Sequence, residues 1–168
     1  MSVPKATDCT PYFELTFRPN VELISVVRRF VSSFYDKVLS DRDATSRLAL
    51  ATHELLENAT KYSTDGETTI RIEALADGIM DIRIRIWNRA REEHLAVLRA
   101  HFAEIIQISD PFAYYQRAIE QSAKRRVGSG LGLARLLAEA DMKLSCEIEG
   151  DRVCIVADTY TMQKGRAA

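Results

Sequence analysis

Cysteine is scarce in this chain of 168 residues. The three present, Cys9, Cys146 and Cys154, form no CxxC pair and no metal-ligand spacing. A disulfide scaffold and a cysteine zinc site are excluded, and an odd, unframed count fits a reducing cytoplasm as the expected location. No run of about 18 apolar residues occurs, so neither a membrane-spanning helix nor a membrane partner is expected. The stretch from Met1 to Asp8 lacks the apolar run of a secretory leader. Neither sign of charge is in excess: 23 Lys and Arg against 24 Asp and Glu leave a net charge of −1, which provides no electrostatic footprint for nucleic acid. Internal repeats, low-complexity tracts and linkers are also lacking. The length suits one domain that buries its own core, so a single domain over 1–168 is expected.

What is present is strong periodicity. Residues 12–18 alternate as a strand does, Pro19 stops them, and Asn20 is placed to cap a helix. Val21, Ile24, Val27, Phe30, Val31, Phe34 and Val38 then recur at helical spacing over 21–39. A second helix is expected from about Ala44 to Tyr62, with Leu48, Ala51, Leu55, Ala59 and Tyr62 as its core stripe. Thr64-Asp65-Gly66 reads as a turn. Thr69–Leu75 and Met80–Trp87 alternate strictly around Asp77-Gly78, the clearest hairpin signal in the chain. Their isoleucines share one face. Arg71, Glu73, Asp81, Arg83 and Arg85 share the other, which reads as a wet, ion-paired surface.

Residues 91–106 and 112–122 carry two helical patterns, the first with Leu95, Leu98, Phe102, Ile105 and Ile106 on one side, joined at Asp110-Pro111. A helix to about Asp141 and strands near Lys143–Glu149 and Arg152–Asp158 complete the order. This alternation predicts an α+β fold, a two-layer α/β sandwich with a mixed sheet covered by helices on one face.

Two segments about seventy residues apart carry the chemistry. In Glu54-Leu-Leu-Glu-Asn58-Ala-Thr-Lys61-Tyr62, a carboxylate and a carboxamide stand at i, i+4 on one helix face. A carboxamide oxygen is a hard ligand suited to magnesium, and a carboxylate one turn away suits a magnesium-bound water or a general base. The plainer reading is an exposed helix face, with Glu57 paired to Lys61. The second segment, Gly128-Ser-Gly130-Leu131-Gly132-Leu-Ala-Arg135, lets backbone approach an anion and then opens a helix. It follows no expected strand and has no Lys-Ser/Thr after it, so neither the dinucleotide fingerprint nor the P-loop fits. Lys124, Arg125 and Arg126 just before it are either phosphate contacts or a solvated helix end. His53-Glu54 lacks the second histidine of a zinc protease, and a phosphoaccepting histidine is the weaker account of it. His94 and His101 have no third ligand and read as surface or satisfied residues.

The two strings, in this order and at this spacing, resemble the GHKL superfamily of ATPases and kinases, and the resemblance spans about residues 12–158. It implies a Bergerat-type ATP-binding domain with ATP and magnesium as cofactors. Asn58 matches the magnesium-binding asparagine and Glu54 the catalytic glutamate. Gly128, Gly130 and Gly132 match the glycines around the triphosphate, while Lys61 and Leu131 lie within the matched strings and count as nucleotide-binding positions. The family's Asp-x-Gly-x-Gly motif falls on Asn88-Arg89-Ala90-Arg91-Glu92. An asparagine therefore stands at the adenine-reading position and both glycines are replaced. An asparagine oxygen still accepts a hydrogen bond from the adenine amino group, without the strength of a charge.

Within the superfamily, the size is most similar to that of stand-alone anti-sigma-factor kinases. The resemblance then implies a magnesium- and ATP-dependent serine/threonine protein kinase. Its substrate would be a small partner protein of the anti-sigma-factor-antagonist kind, in partner-switching signalling, with a homodimer as the oligomer the family suggests. The alternative is an interaction module that keeps the fold with little or no nucleotide use. The replaced glycines motivate it.

Overall fold

The computed structural model describes residues 11–39, 41–76, 80–123 and 130–159. The elements run in the expected order: β1 (Tyr12–Phe17), α1 (Val21–Val38), α2 (Arg42–Tyr62), β2 (Ser63–Ala76), β3 (Met80–Ala90), α3 (Glu92–Ile105), α4 (Pro111–Ser122), α5 (Leu131–Glu139), β4 (Met142–Glu149) and β5 (Arg152–Thr159). The Asp77-Gly78 turn lies outside the described residues.

Local chemistry sets the helix starts. The Asn20 side chain accepts from the Leu23 N–H, Asp41 from Asp43 and Ala44, and Asp110 from Phe112 and Ala113. Each satisfies amides that have no acceptor within their own helix. Pro111 sits in the first turn of α4, where a missing N–H costs nothing.

The sheet order is β1-β2-β3-β5-β4. Every pairing is antiparallel, where a mixed sheet was expected. The reason lies in the return from α5. The chain goes first to the edge as β4, then turns at Gly150 and inserts β5 against β3 in the opposite sense.

The two-layer architecture holds. Ile70, Ile72, Ile82, Ile84 and Ile86 are all buried on the helix-covered face, each contributing roughly 1.5–3 kcal/mol of burial. On the other face Arg71 and Arg85 both bond Glu73, and Arg83 bonds Asp158, as a wet face requires.

Three local expectations need correction. Thr64-Asp65-Gly66 is not a separate turn. It is the irregular start of β2, where the register with β3 shifts between Ser63 and Thr68 and Gly66 takes φ 70°. On α1 the fully buried aromatic is Tyr35, not Phe34, because its phenol bonds Thr52 Oγ1 at 2.9 Å inside the core. On α3, Leu95, Phe102 and Ile105 are buried, but Ile106 is 82% exposed because the helix has already ended.

Candidate functional site

Helix α2 is tied to the core by Leu48, Ala51, Leu55, Leu56 and Ala59. Its adjoining face presents Glu54 and Asn58 to the start of α5. Gly130 caps α5 at φ 63°, a left-handed backbone that glycine adopts without steric cost. The first amides of α5 have no acceptor within the helix, the first intrahelical bond running from Ala134 N–H to the Gly130 carbonyl.

Gly132 is where the two strings meet. A Cβ placed there would lie 2.9 Å from Glu54 Oε2 and 3.2 Å from Asn58 Nδ2. Glycine lets the backbone of α5 come this close without displacing either side chain. Glu54 is further held by Arg135, whose Nη1 lies 3.1 Å from Oε1. Arg135 also bonds Glu139 at 2.7 Å, so one guanidinium ties the α2 carboxylate to α5.

Around this contact lies a cavity of about 340 Å³, within the size range of small-molecule sites. Asn58, Lys61, Asn88, Gly130, Leu131 and Gly132 all line it. Six of the eight expected site residues thus converge. Glu54 touches the cradle at Gly132 but not the cavity itself, and Gly128 lies outside the described residues, as do Lys124, Arg125 and Arg126.

Asn88 is not in a loop. β3 runs unbroken to Ala90, and Asn88 continues the inward face after Ile82, Ile84 and Ile86. It is 8% exposed and donates one long bond, Nδ2 to the Arg89 carbonyl at 3.3 Å. Opposite it in the register is Thr68, fully buried, whose hydroxyl has no hydrogen-bond partner among the described residues.

Several contributors were not legible beforehand. His94 and His101 were read as surface or satisfied residues, yet both line the cavity. The His101 ring packs on Gly130, within 2.6 Å of where a Cβ would stand. The His94 ring meets Tyr62 edge-on at 5.0 Å, and its Nδ1 is buried without a partner among the described residues. Glu57 does not pair Lys61. It bonds His53 at 3.0 Å, while Lys61 lies over the Tyr62 ring. Arg135 and Thr68 had a faint signal: Arg135 follows Gly132 by one helical turn, and Thr68 precedes Ile70 on the inward face as Asn88 follows Ile86.

Other chemistry is weaker. Burial pushes the Cys146 thiol up to about 12 and the Cys154 thiol up to about 11, so neither is a ready thiolate. Among the described residues no group of three His, Cys, Asp or Glu is arranged to hold a metal ion, and no helix is long and apolar enough to cross a membrane. A larger polar groove of about 990 Å³ lies between α1 and α2, lined by Arg28, Asp36, Asp41, Arg42 and His53 among others. It contains neither Asn58 nor the glycines, and the smaller cavity is the better candidate because the motif residues converge there.

The residues present fit a magnesium nucleotide. The left-handed Gly130 at the start of α5 lines the cavity and suits an anion close to backbone. Asn58 is a single neutral oxygen donor of the kind a phosphate-shared magnesium uses. Asn88 lines the cavity and accepts nothing at Oδ1 among the described residues, which leaves hydrogen-bonding capacity at the floor.

No protein-family model matches this chain, and no curated protein matches it in sequence. Among solved structures the fold is similar to that of a chain in the crystal structure of the SiaB-SiaC complex from Pseudomonas aeruginosa. The identity is 13%, the TM-score 0.67, and 88% of each chain is covered. At that identity the likeness is one of fold.

Proposed function

We propose that this chain binds ATP with magnesium in the cavity between α2, β3 and α5 and phosphorylates a serine or threonine of a small protein partner. The observation that carries the reading is the contact at Gly132, which brings the two GHKL-like strings onto one another. The likeness to a chain of the SiaB-SiaC complex supports a protein partner, since that structure is of a two-protein assembly.

When bound, the magnesium nucleotide supplies the transferable phosphoryl group and offsets its charge. Asn58 would hold the metal through its amide oxygen. Gly130 and Gly132 admit the phosphates to the backbone, and Lys61, exposed at the rim, adds a cation. Asn88 would meet the base at the floor. Arg135 anchors Glu54 by Oε1, which leaves Oε2 beside Gly132 to accept the proton of the partner hydroxyl. Phosphoryl transfer depends mostly on positioning and charge, so this modest set suffices.

The test is transfer from labelled ATP to a small protein that co-purifies with the chain. Wild type should label it on serine or threonine. Glu54→Gln should still bind it and lose transfer. No label, despite demonstrated binding of both nucleotide and partner, overturns the kinase reading.

The second reading, an interaction module without catalysis, is favoured by two observations. β3 runs straight through the segment where the family has a glycine loop, and Glu54 is already ion-paired. It expects no transfer in wild type and partner affinity indifferent to ATP.

A further inference from the structure

We propose that the cavity accepts purine nucleotides with either an amino or an oxo group at C6, and that Asn88 is the residue that removes the discrimination. The proposal rests on the nucleotide reading above and deepens it.

A carboxylate at such a position only accepts hydrogen bonds. It therefore pairs with a 6-amino group and faces a 6-oxo group lone pair to lone pair, leaving both unsatisfied away from water. Asn88 is different in kind. Its amide ends in an acceptor, Oδ1, and a donor, Nδ2, of nearly equal size, and a half turn about the last side-chain torsion exchanges them. A 6-amino group can donate to Oδ1, and a 6-oxo group can accept from Nδ2.

Whether the amide is free to make that exchange depends on what already holds it. Its one hydrogen bond among the described residues is the donation from Nδ2 to the Arg89 carbonyl at 3.3 Å, beyond the usual range for a firm N–H···O bond. Nothing described donates to Oδ1. Surface contacts do not impose an orientation either, because the residue is 8% exposed and lines the cavity. The neighbour directly across the strand is also ambivalent. Thr68 lies fully buried behind the lining, and its hydroxyl, donor and acceptor at once, has no partner among the described residues. At the cavity floor Asn88 thus serves either polarity.

The probe is a pair of nucleotides that differ at C6 and in the N1 proton that accompanies the oxo group, ATP and ITP, titrated calorimetrically with magnesium onto the full chain. GTP is a third, because it adds a 2-amino group whose accommodation is a separate matter. Wild type should bind ATP and ITP within about threefold of one another. Asn88→Asp should lose ITP and retain ATP, opening a gap of about tenfold or more. The wild-type ratio stands as a test even if the variant does not fold. ATP bound more than about tenfold tighter than ITP by wild type overturns this inference and leaves the nucleotide reading intact. Equal affinities in Asn88→Asp also overturn it. Failure of both nucleotides to bind wild type overturns the nucleotide reading, and this inference with it.

Discussion

At Gly132 two contributions oppose one another. Alanine there gains up to about 1 kcal/mol of helix propensity. Its Cβ also lies 2.9 Å from Glu54 Oε2 and 3.2 Å from Asn58 Nδ2. Those are the ends of flexible side chains and move at small cost. Gly132→Ala should therefore change unfolding free energy by less than about 1 kcal/mol, read by urea denaturation. Magnesium-dependent ATP affinity should fall by about tenfold or more, because Asn58 is pushed off its position. Tyr35 tests the core in the same way. The Thr52 hydroxyl donates its proton to the Leu48 carbonyl at 2.8 Å, so the Tyr35 phenol must be the donor in its bond to Thr52. Burial holds that phenol above its ordinary pKa, consistent with a neutral donor. Tyr35→Phe removes one bond without orphaning Thr52, and should cost about 1 kcal/mol in the same measurement. A loss several times larger would mean that the ring itself has shifted.

Strands β2 and β3 set two like charges face to face, Arg71 opposite Arg85. Glu73 bonds both, at 2.9 Å to each, and is the reason the pair is tolerated. Glu73→Gln should cost about 1 kcal/mol, and adding Arg85→Gln should recover part of it, because the repulsion is then gone. Equal stability of the single and double variants would remove Glu73 from this role. The α3–α4 pair behaves differently. It buries Leu95, Phe102, Ile105, Tyr114 and Ala118 but leaves Val97, Ile106, Phe112 and Ile119 exposed. Hydrogen exchange of its amides should be faster than that of β2 and β3, and should slow when nucleotide or partner binds. Protection equal to the sheet in the free protein would identify the pair as a fixed structural element.

For the molecule as a whole, the cavity is assembled from α2, β3, α3, α5 and β5, so a ligand there bridges most of the fold. At a hundredfold excess over its dissociation constant, magnesium ATP should add about 2.7 kcal/mol of stability. For a chain of this size that is a rise of roughly 5–10 °C in melting temperature. Asn58→Ala should lose the magnesium-dependent part of the rise. An equal rise with and without magnesium in wild type would remove Asn58 from the metal.

The order of elements was readable from the chain alone because each depends on neighbours a few residues away. The isoleucine alternation made β2 and β3, and Asn20, Asp41 and Asp110 started their helices through their own side chains. The Glu54 and Asn58 face and the glycine run were readable for the same reason, as one helical turn and one tight backbone approach. Tertiary packing decided the rest. Arg135 reaches Glu54 across 81 residues, His101 packs on Gly130, and Thr68 stands beside Asn88. The first two do not follow from periodicity and depend on α5 lying against α2 and on α3 reaching the start of α5. The third was only faintly signalled by the alternation and depends on the β2–β3 register. The choice of Tyr35 over Phe34 is of this kind too. Both fit a helical stripe, and only the position of Thr52 on the facing helix gives the phenol a partner in the core. Local patterns record which side of an element is apolar. Which other element meets that side is settled by long-range burial and by the need to pair every buried polar group.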